Sequence, residues 1–258
     1  MDSLLAVGAI SKHFGGVRAV DDLSFHVQPG EIRALIGPNG SGKTTCINLI
    51  TRVYQLTGGT IHFSGDRIDH LSRDKIVQRG MARTFQNLRL FETLTVLDHV
   101  LMGSFHHCEI GFFRTVLRVG SARREIQAVT DGAHDLLRLV GLEGKADMLA
   151  RNLPYGQRRL MEIARALATR PKLLLLDEPA AGMSEEEIDR LIDLVRIIRD
   201  RGVSILLVEH RMRLVMNVAE RLVVLNYGKK IAEGTAQEIQ ENPEVIAAYL
   251  GKQHEKVG

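Results

Sequence analysis

Cysteine is scarce in this chain: Cys46 and Cys108 are the only two among 258 residues. Their separation matches no metal-ligand spacing, which argues against a disulfide scaffold and fits a reducing compartment. Long apolar runs are also missing. No stretch of about 18 apolar residues occurs, so no segment is expected to span a bilayer. If the protein works in transport, another polypeptide must supply the channel. The start, Met1-Asp2-Ser3, lacks the basic stretch, apolar run and small-residue cleavage site of a secretory signal. Charge of one sign is not in surplus either. With 34 basic against 31 acidic residues the formal charge is +3, too balanced for a dedicated nucleic-acid binder, and Arg123-Arg124 reads as solvated surface. No Pro/Ser-rich linker, low-complexity tract or internal repeat divides the chain. What is present is 45% hydrophobic and 25% charged residues, enough to bury a substantial core in one subdivided domain or two small ones.

Segments rich in Val, Ile and Phe predict strands at Leu4 to Ile10, Ala19 to Val27, Glu31 to Ile36 and Thr60 to Phe63, broken by Gly, Pro and Asp turns. From Thr95 to about Leu139 the apolar residues recur every three or four positions, which predicts helix. Two buried-looking runs, Leu173 to Leu176 and Val203 to Val208, flank the helical pattern Ile188, Leu191, Leu194, Val195, Ile198. Strand, helix and strand make a βαβ unit and hence a parallel sheet covered on both faces. Gly202 suits that helix's C-terminal cap. A strand at Leu222 to Leu225, a hairpin around Tyr227-Gly228 and a helix from Pro243 to Leu250 complete the layout.

Gly37-Pro-Asn-Gly-Ser-Gly-Lys43-Thr44 fits G-x-x-x-x-G-K-[ST], after a predicted strand and before a helical stretch. Glycines let successive N–H groups converge on phosphate oxygens, and the helix N-terminus adds a favourable field. Asn39, Gly40, Ser41, Gly42, Lys43, Thr44 and Thr45 are therefore candidate nucleotide contacts, with Lys43 on the β- and γ-phosphates and the Thr44 hydroxyl on Mg²⁺. Further on, Asp177 and Glu178 end a hydrophobic strand, where open parallel sheets bind ligands. Adjacent strand residues point opposite ways, so Asp177 is expected to hold Mg²⁺ and Glu178 to accept the proton of an attacking water or orient it.

Between these motifs lies Leu153-Pro154-Tyr155-Gly156-Gln157, followed by Arg158-Arg159-Leu160 and Glu162 to Leu167. This resembles the signature loop of ABC ATPases. Gln86 after Arg83-Thr84-Phe85 resembles the family's Q-loop, Pro179 to Ser184 its D-loop, and His210 after Val208-Glu209 its switch histidine. Phe14 stands where an aromatic stacks on adenine, ahead of Val20. Pro154 and Tyr155 replace the common Ser and Gly, and Ser184 replaces the usual Asp. With Glu-Pro-Ala-Ala-Gly at 178–182 and Asn242-Pro-Glu-Val-Ile-Ala-Ala-Tyr-Leu-Gly251 near the end, this variant resembles the ATPases of branched-chain and other hydrophobic amino acid importers.

The resemblance implies an α/β P-loop NTPase fold: a RecA-like core with a mostly parallel sheet, an antiparallel β subdomain and an α-helical subdomain. The expected division is 1–86 and 160–234 for the core with its β subdomain, 87–159 for the helical subdomain and 235–258 for a helical tail. It further implies ATP and Mg²⁺ as cofactors, with Gln86 and His210 joining Glu178 in catalysis and Gln86 reaching the metal. Leu153, Tyr155, Gly156 and Gln157 would complete the ATP site of a second ABC ATPase subunit, a paralogue or a second copy. Membrane permease subunits and, indirectly, an extracytoplasmic solute-binding protein are the implied partners, at the cytoplasmic face of the inner membrane. No nucleic acid is expected. The stretch from Gly103 to Arg124, with Phe105, Phe112, Phe113, Val116 and Leu117, is read as a packed helix pair rather than a docking surface. A soluble ABC ATPase acting on nucleic acid or ribosomes would carry a coiled-coil insertion or two fused halves, and neither is present. A lipid-exporter ATPase usually keeps a Ser-Gly-Gly signature. A GTP-binding switch would carry Asn-Lys-x-Asp, which is absent.

Overall fold

The computed structural model describes residues 3–84, 90–104 and 120–250. Two sheets organise it. The first is antiparallel: β1 (Leu5–Phe14) pairs with β2 (Val17–Val27) on one side and β4 (Gly58–Phe63) on the other, and β5 (Asp66–Arg67) extends β4. The second has six strands in the order β10-β9-β3-β8-β7-β6, from β3 (Ile32–Ile36), β6 (Met81–Arg83), β7 (Leu173–Asp177), β8 (Ser204–Val208), β9 (Arg221–Asn226) and β10 (Lys229–Gly234). All its pairs are parallel except the β9–β10 hairpin. The helices are α1 (Lys43–Ile50), α2 (Arg73–Gln78), α3 (Val96–Ser104), α4 (Gly120–Leu139), α5 (Tyr155–Leu167), α6 (Glu185–Asp200), α7 (Met212–Val218), α8 (Ala236–Gln240) and α9 (Pro243–Leu250).

The continuous apolar runs are explained by burial on both faces. Along β7, Leu173 and Leu175 join one core with the antiparallel sheet and α1, while Leu174 and Leu176 join the other with α3, α5 and α6. β8 and β9 divide their side chains the same way, so the parallel sheet is the wall between two cores. Each fully buried Leu, Ile or Val contributes about 2 kcal/mol of transfer free energy as an upper figure. α6 starts at a capping box, with Ser184 Oγ accepting from Glu187 N–H and the Glu187 carboxylate accepting from Ser184 N–H. It ends in a Schellman turn: Gly202 N–H donates to Arg199 O and Val203 N–H to Ile198 O.

Several elements differ from the sequence expectation. β1 runs on to Phe14 because register shifts between Val7 and His13 break the period of two while the ladder with β2 continues. β6 has three residues, too few for a pattern, and its pairing with β7 holds it. α2 buries only Ile76 and α8 only Ile239, so neither has a readable stripe. α7 likewise lies unpredicted in a segment of seven residues. The predicted helix from Thr95 to Leu139 corresponds to α3 and α4, and Phe105, Phe112, Phe113, Val116 and Leu117 lie outside the described residues. Among the described residues, no helix is long and apolar enough to cross a membrane.

Candidate nucleotide site

β3 delivers the chain fully buried at Ile36 into the Gly37 to Thr44 turn, and α1 starts at Lys43. Gly42 is the pivot: its φ is +106°, and a β-carbon there would lie 2.5 Å from Ala19 O. The turn is therefore closed to other residues by both conformation and space. Lys43 is nearly buried and donates from Nζ to Gly37 O (2.8 Å) and Pro38 O (3.0 Å), so its charge is held at the mouth of the turn. Val20 is wholly buried and packs beneath Gly42 rather than facing solvent.

The acidic pair sits at the C-terminal end of β7. Asp177 is 2% exposed, and its Oδ2 accepts from Arg83 Nη2 at 2.8 Å. Arg83 also donates to Asn48 Oδ1 and Thr51 Oγ1, which ties Asp177 to α1. Among the described residues Asp177 Oδ1 is buried without a hydrogen-bond partner. Such a carboxylate oxygen, with the Thr44 hydroxyl on α1, is the hard oxygen donor set that suits Mg²⁺. Glu178 takes the left-handed conformation (φ +48°), with its N–H bound to Val208 O at 2.8 Å. That turn brings Glu178 Oε1 to 3.8 Å from His210 Nδ1, and Glu209 Oε1 lies 3.3 Å from the same nitrogen.

Glu209 was not singled out from the sequence. It is fully buried, and its carboxylate accepts from the N–H groups of His210, Arg211 and Ala180. One side chain thus fastens the loop after β7 to the loop after β8. The signal available was a lone Glu after an apolar strand, which is equally a surface residue. Arg83, three residues before Gln86, likewise carries no local signal of its own.

Asn39 through Thr45, Glu178 and His210 line one cleft of about 640 Å³, joined by Val17, Arg18, Ala19 and Tyr227, four residues outside the sequence-based selection. Phe14 is not in that lining; it is 45% exposed, edge-on to Tyr54 at 5.3 Å with Lys12 Nζ 5.0 Å from its ring centre. Gln86 lies outside the described residues. Leu153, Tyr155, Gly156 and Gln157 are elsewhere in the molecule. Leu153 is buried, Pro154 is the N-cap residue of α5, and Gln157 Oε1 accepts from Lys145 Nζ at 2.6 Å. The Tyr155 ring lies over Gly182, 2.9 Å from where a β-carbon would be, and its hydroxyl accepts from Arg159 Nη2 at 2.6 Å. Gly156 faces the Glu187 carboxylate so closely that a β-carbon has no room. Ser184, read as a substituted D-loop residue, is occupied as the cap of α6.

A parallel sheet whose central strand feeds a glycine-rich turn, with an acidic strand end across the cleft, defines a P-loop NTPase. The sequence profile of the ABC transporter family matches residues 20–181, and the chain belongs to that family as one of its ATPase cassettes. A second profile, described as branched-chain amino acid ATP-binding cassette transporter, matches residues 229–255. The chain is 40% identical over 250 residues to the high-affinity branched-chain amino acid transport ATP-binding protein BraF of Pseudomonas aeruginosa, covering 96% of this chain and 98% of that protein. It is 41% identical over 250 residues to the protein of the same description, LivG, of Escherichia coli, with the same coverage of both chains. A nucleotide-free ATP-binding cassette from an ABC transporter superposes with a TM-score of 0.84 at 30% identity, covering 96% of this chain and 99% of that one.

Proposed function

We propose that this chain hydrolyses ATP to power import of branched-chain or other hydrophobic amino acids across the cytoplasmic membrane. The observation that carries the reading is the convergence of the Asn39 to Thr45 turn, Glu178 and His210 on one cleft. The turn's N–H groups and Lys43 bind the β- and γ-phosphates. Glu178 takes the proton of the attacking water, or orients it, and His210 holds the γ-phosphate and water in register. Mg²⁺, held by Thr44 and Asp177 with Gln86, supplies neutralisation of charge on the phosphate oxygens. Leu153, Tyr155, Gly156 and Gln157 serve the ATP site of a second cassette, with Gly156 at the helix N-terminus offered across the pair. Phe14 acts at the adenine end, and Val20 supports the turn from beneath.

The solute class rests on the relatives at 40% and 41% identity and on the profile at residues 229–255. Permease subunits and, through them, an extracytoplasmic binding protein are the partners of this reading, with the chain peripheral on the cytoplasmic face. Glu178→Gln is expected to keep ATP affinity while lowering turnover at least about 100-fold, the scale of general-base loss. Turnover of MgATP by the purified variant at the unmodified rate would remove Glu178 from this role. Leucine uptake by proteoliposomes holding this chain and its permeases, dependent on ATP and abolished by Lys43→Ala, tests the solute.

A further inference from the structure

The β9–β10 connection is a two-residue turn, Tyr227-Gly228, with positive φ at both positions (+46° and +81°). Asn or Asp with Gly is the ordinary occupant of such a turn, and a bulky aromatic there is strained by about 1–2 kcal/mol. Tyr227 is also 74% exposed, the highest value of any large apolar or aromatic side chain among the described residues. Strain and exposure together call for a purpose. Of the non-glycine residues at positive φ, Glu178 and Tyr227 are the two that line the nucleotide cleft.

The turn is fixed to the phosphate loop. Gly228 N–H donates to Ser41 O at 2.9 Å, and Gly228 O accepts from Asp21 N–H at 2.9 Å. On its other side Gly228 abuts the carbonyls of Arg18 and Ala19, at 2.9 and 3.0 Å from its β position. Tyr227 therefore stands where the phosphate loop meets the start of β2. Glu178 and His210, by the roles proposed above, stand with the γ-phosphate, which leaves Arg18, Ala19 and Tyr227 as the lining of the same cleft available to the sugar and base. Phe14 is turned to Tyr54 and Lys12 outside this lining.

We propose that Tyr227 is a nucleotide-binding residue of this ATPase, its ring forming the wall that meets the sugar and base. The turn holds the ring in place before nucleotide arrives, and the cost of its left-handed backbone is offset on binding. The inference rests on the nucleotide reading of the cleft.

The sequence contains no tryptophan, so Tyr227→Trp gives the full chain a single indole. Its emission is expected to change saturably with MgATP, with the midpoint at which MgATP displaces a fluorescent N-methylanthraniloyl-ATP, and to stay flat when Lys43→Ala is added. Tyr227→Asn keeps a residue suited to the left-handed position, so its melting temperature should not fall, while ATP affinity should drop about fivefold, the scale of one ring contact. Indole emission that does not move while the fluorescent nucleotide is displaced overturns the proposal. So does a Tyr227→Asn protein whose ATP affinity stays within about twofold of the unmodified chain, including one in which only association between copies changes. Failure of the unmodified chain to bind the fluorescent nucleotide would instead overturn the nucleotide reading itself.

Discussion

The phosphate-loop cleft and the signature segment are both ends of helices, yet they are in different states of readiness. At the start of α1 the loop, Lys43, Glu178 and His210 already face one space. At the start of α5 the corresponding N-terminus is covered by its own chain, with Tyr155 on Gly182 and Gly156 against Glu187. The first region opens its loop and side chains to a shared cleft. The second is tied to the segment that follows the acidic pair, so whatever moves the 179–184 loop moves the signature turn with it. The difference teaches that position of a helix N-terminus alone does not make an anion site; what stands in front of it decides.

The comparison is broken most severely at Arg83. Arg83→Met removes the partner of a buried Asp177 and is expected to cost about 3 kcal/mol or more, read as a lower urea midpoint, together with weakened MgATP binding. Gly182→Ala strikes the signature side. Its φ of +73° and the Tyr155 ring at 2.9 Å predict a loss of about 1–2 kcal/mol, and adding Tyr155→Ala should recover the steric part, measured as a coupling in a double-mutant cycle. Ser184→Ala removes the cap of α6 and should cost about 1 kcal/mol in the same unfolding measurement, leaving nucleotide affinity unchanged. The smallest effect is expected from acid. His99 on α3 takes Phe91 N–H at Nε2 (3.1 Å) while Nδ1 lies 2.8 Å from Thr95 O, an arrangement of the neutral ring. Burial, aided by the Arg165 guanidinium, holds its pKa below the ordinary 6.5. The unfolded ring therefore binds a proton first as pH falls through its ordinary value, so stability is full above that value and lost below it. His99→Gln should flatten the pH dependence of the urea midpoint between about pH 7.5 and 5.5.

Legibility followed pattern length. β7, β8 and β9 were readable because four apolar residues in a row between turns fit a strand buried on both faces, and β3 because its apolar residues, broken only by Arg33, run straight into the glycine-rich turn. The phosphate loop and the acidic pair were readable because their chemistry needs fixed residues at fixed spacing. β6 and α2 were not, since tertiary pairing rather than local pattern forms them. Ser184-Glu-Glu-Glu187 carries a readable signal, the capping box, at a position where the family resemblance implies a D-loop substitution. Val17, Arg18 and Ala19 at the start of β2 and Tyr227 in the distant β9–β10 turn meet the cleft together, a convergence no local window contains. Arg83 and Glu209 were invisible for a similar reason: a lone charged residue becomes a brace only when distant backbone and side-chain partners close around it.

The Glu209 carboxylate has a stricter requirement than its charge suggests. Two oxygens receive three amide hydrogens from two separate loops. A glutamine of the same shape would present one acceptor and one donor, so either Ala180 or the His210–Arg211 pair would confront an amine instead of an oxygen. The side chain works as a rivet through both loops, and the isosteric exchange that leaves an ordinary surface glutamate untroubled would here pry one of them loose.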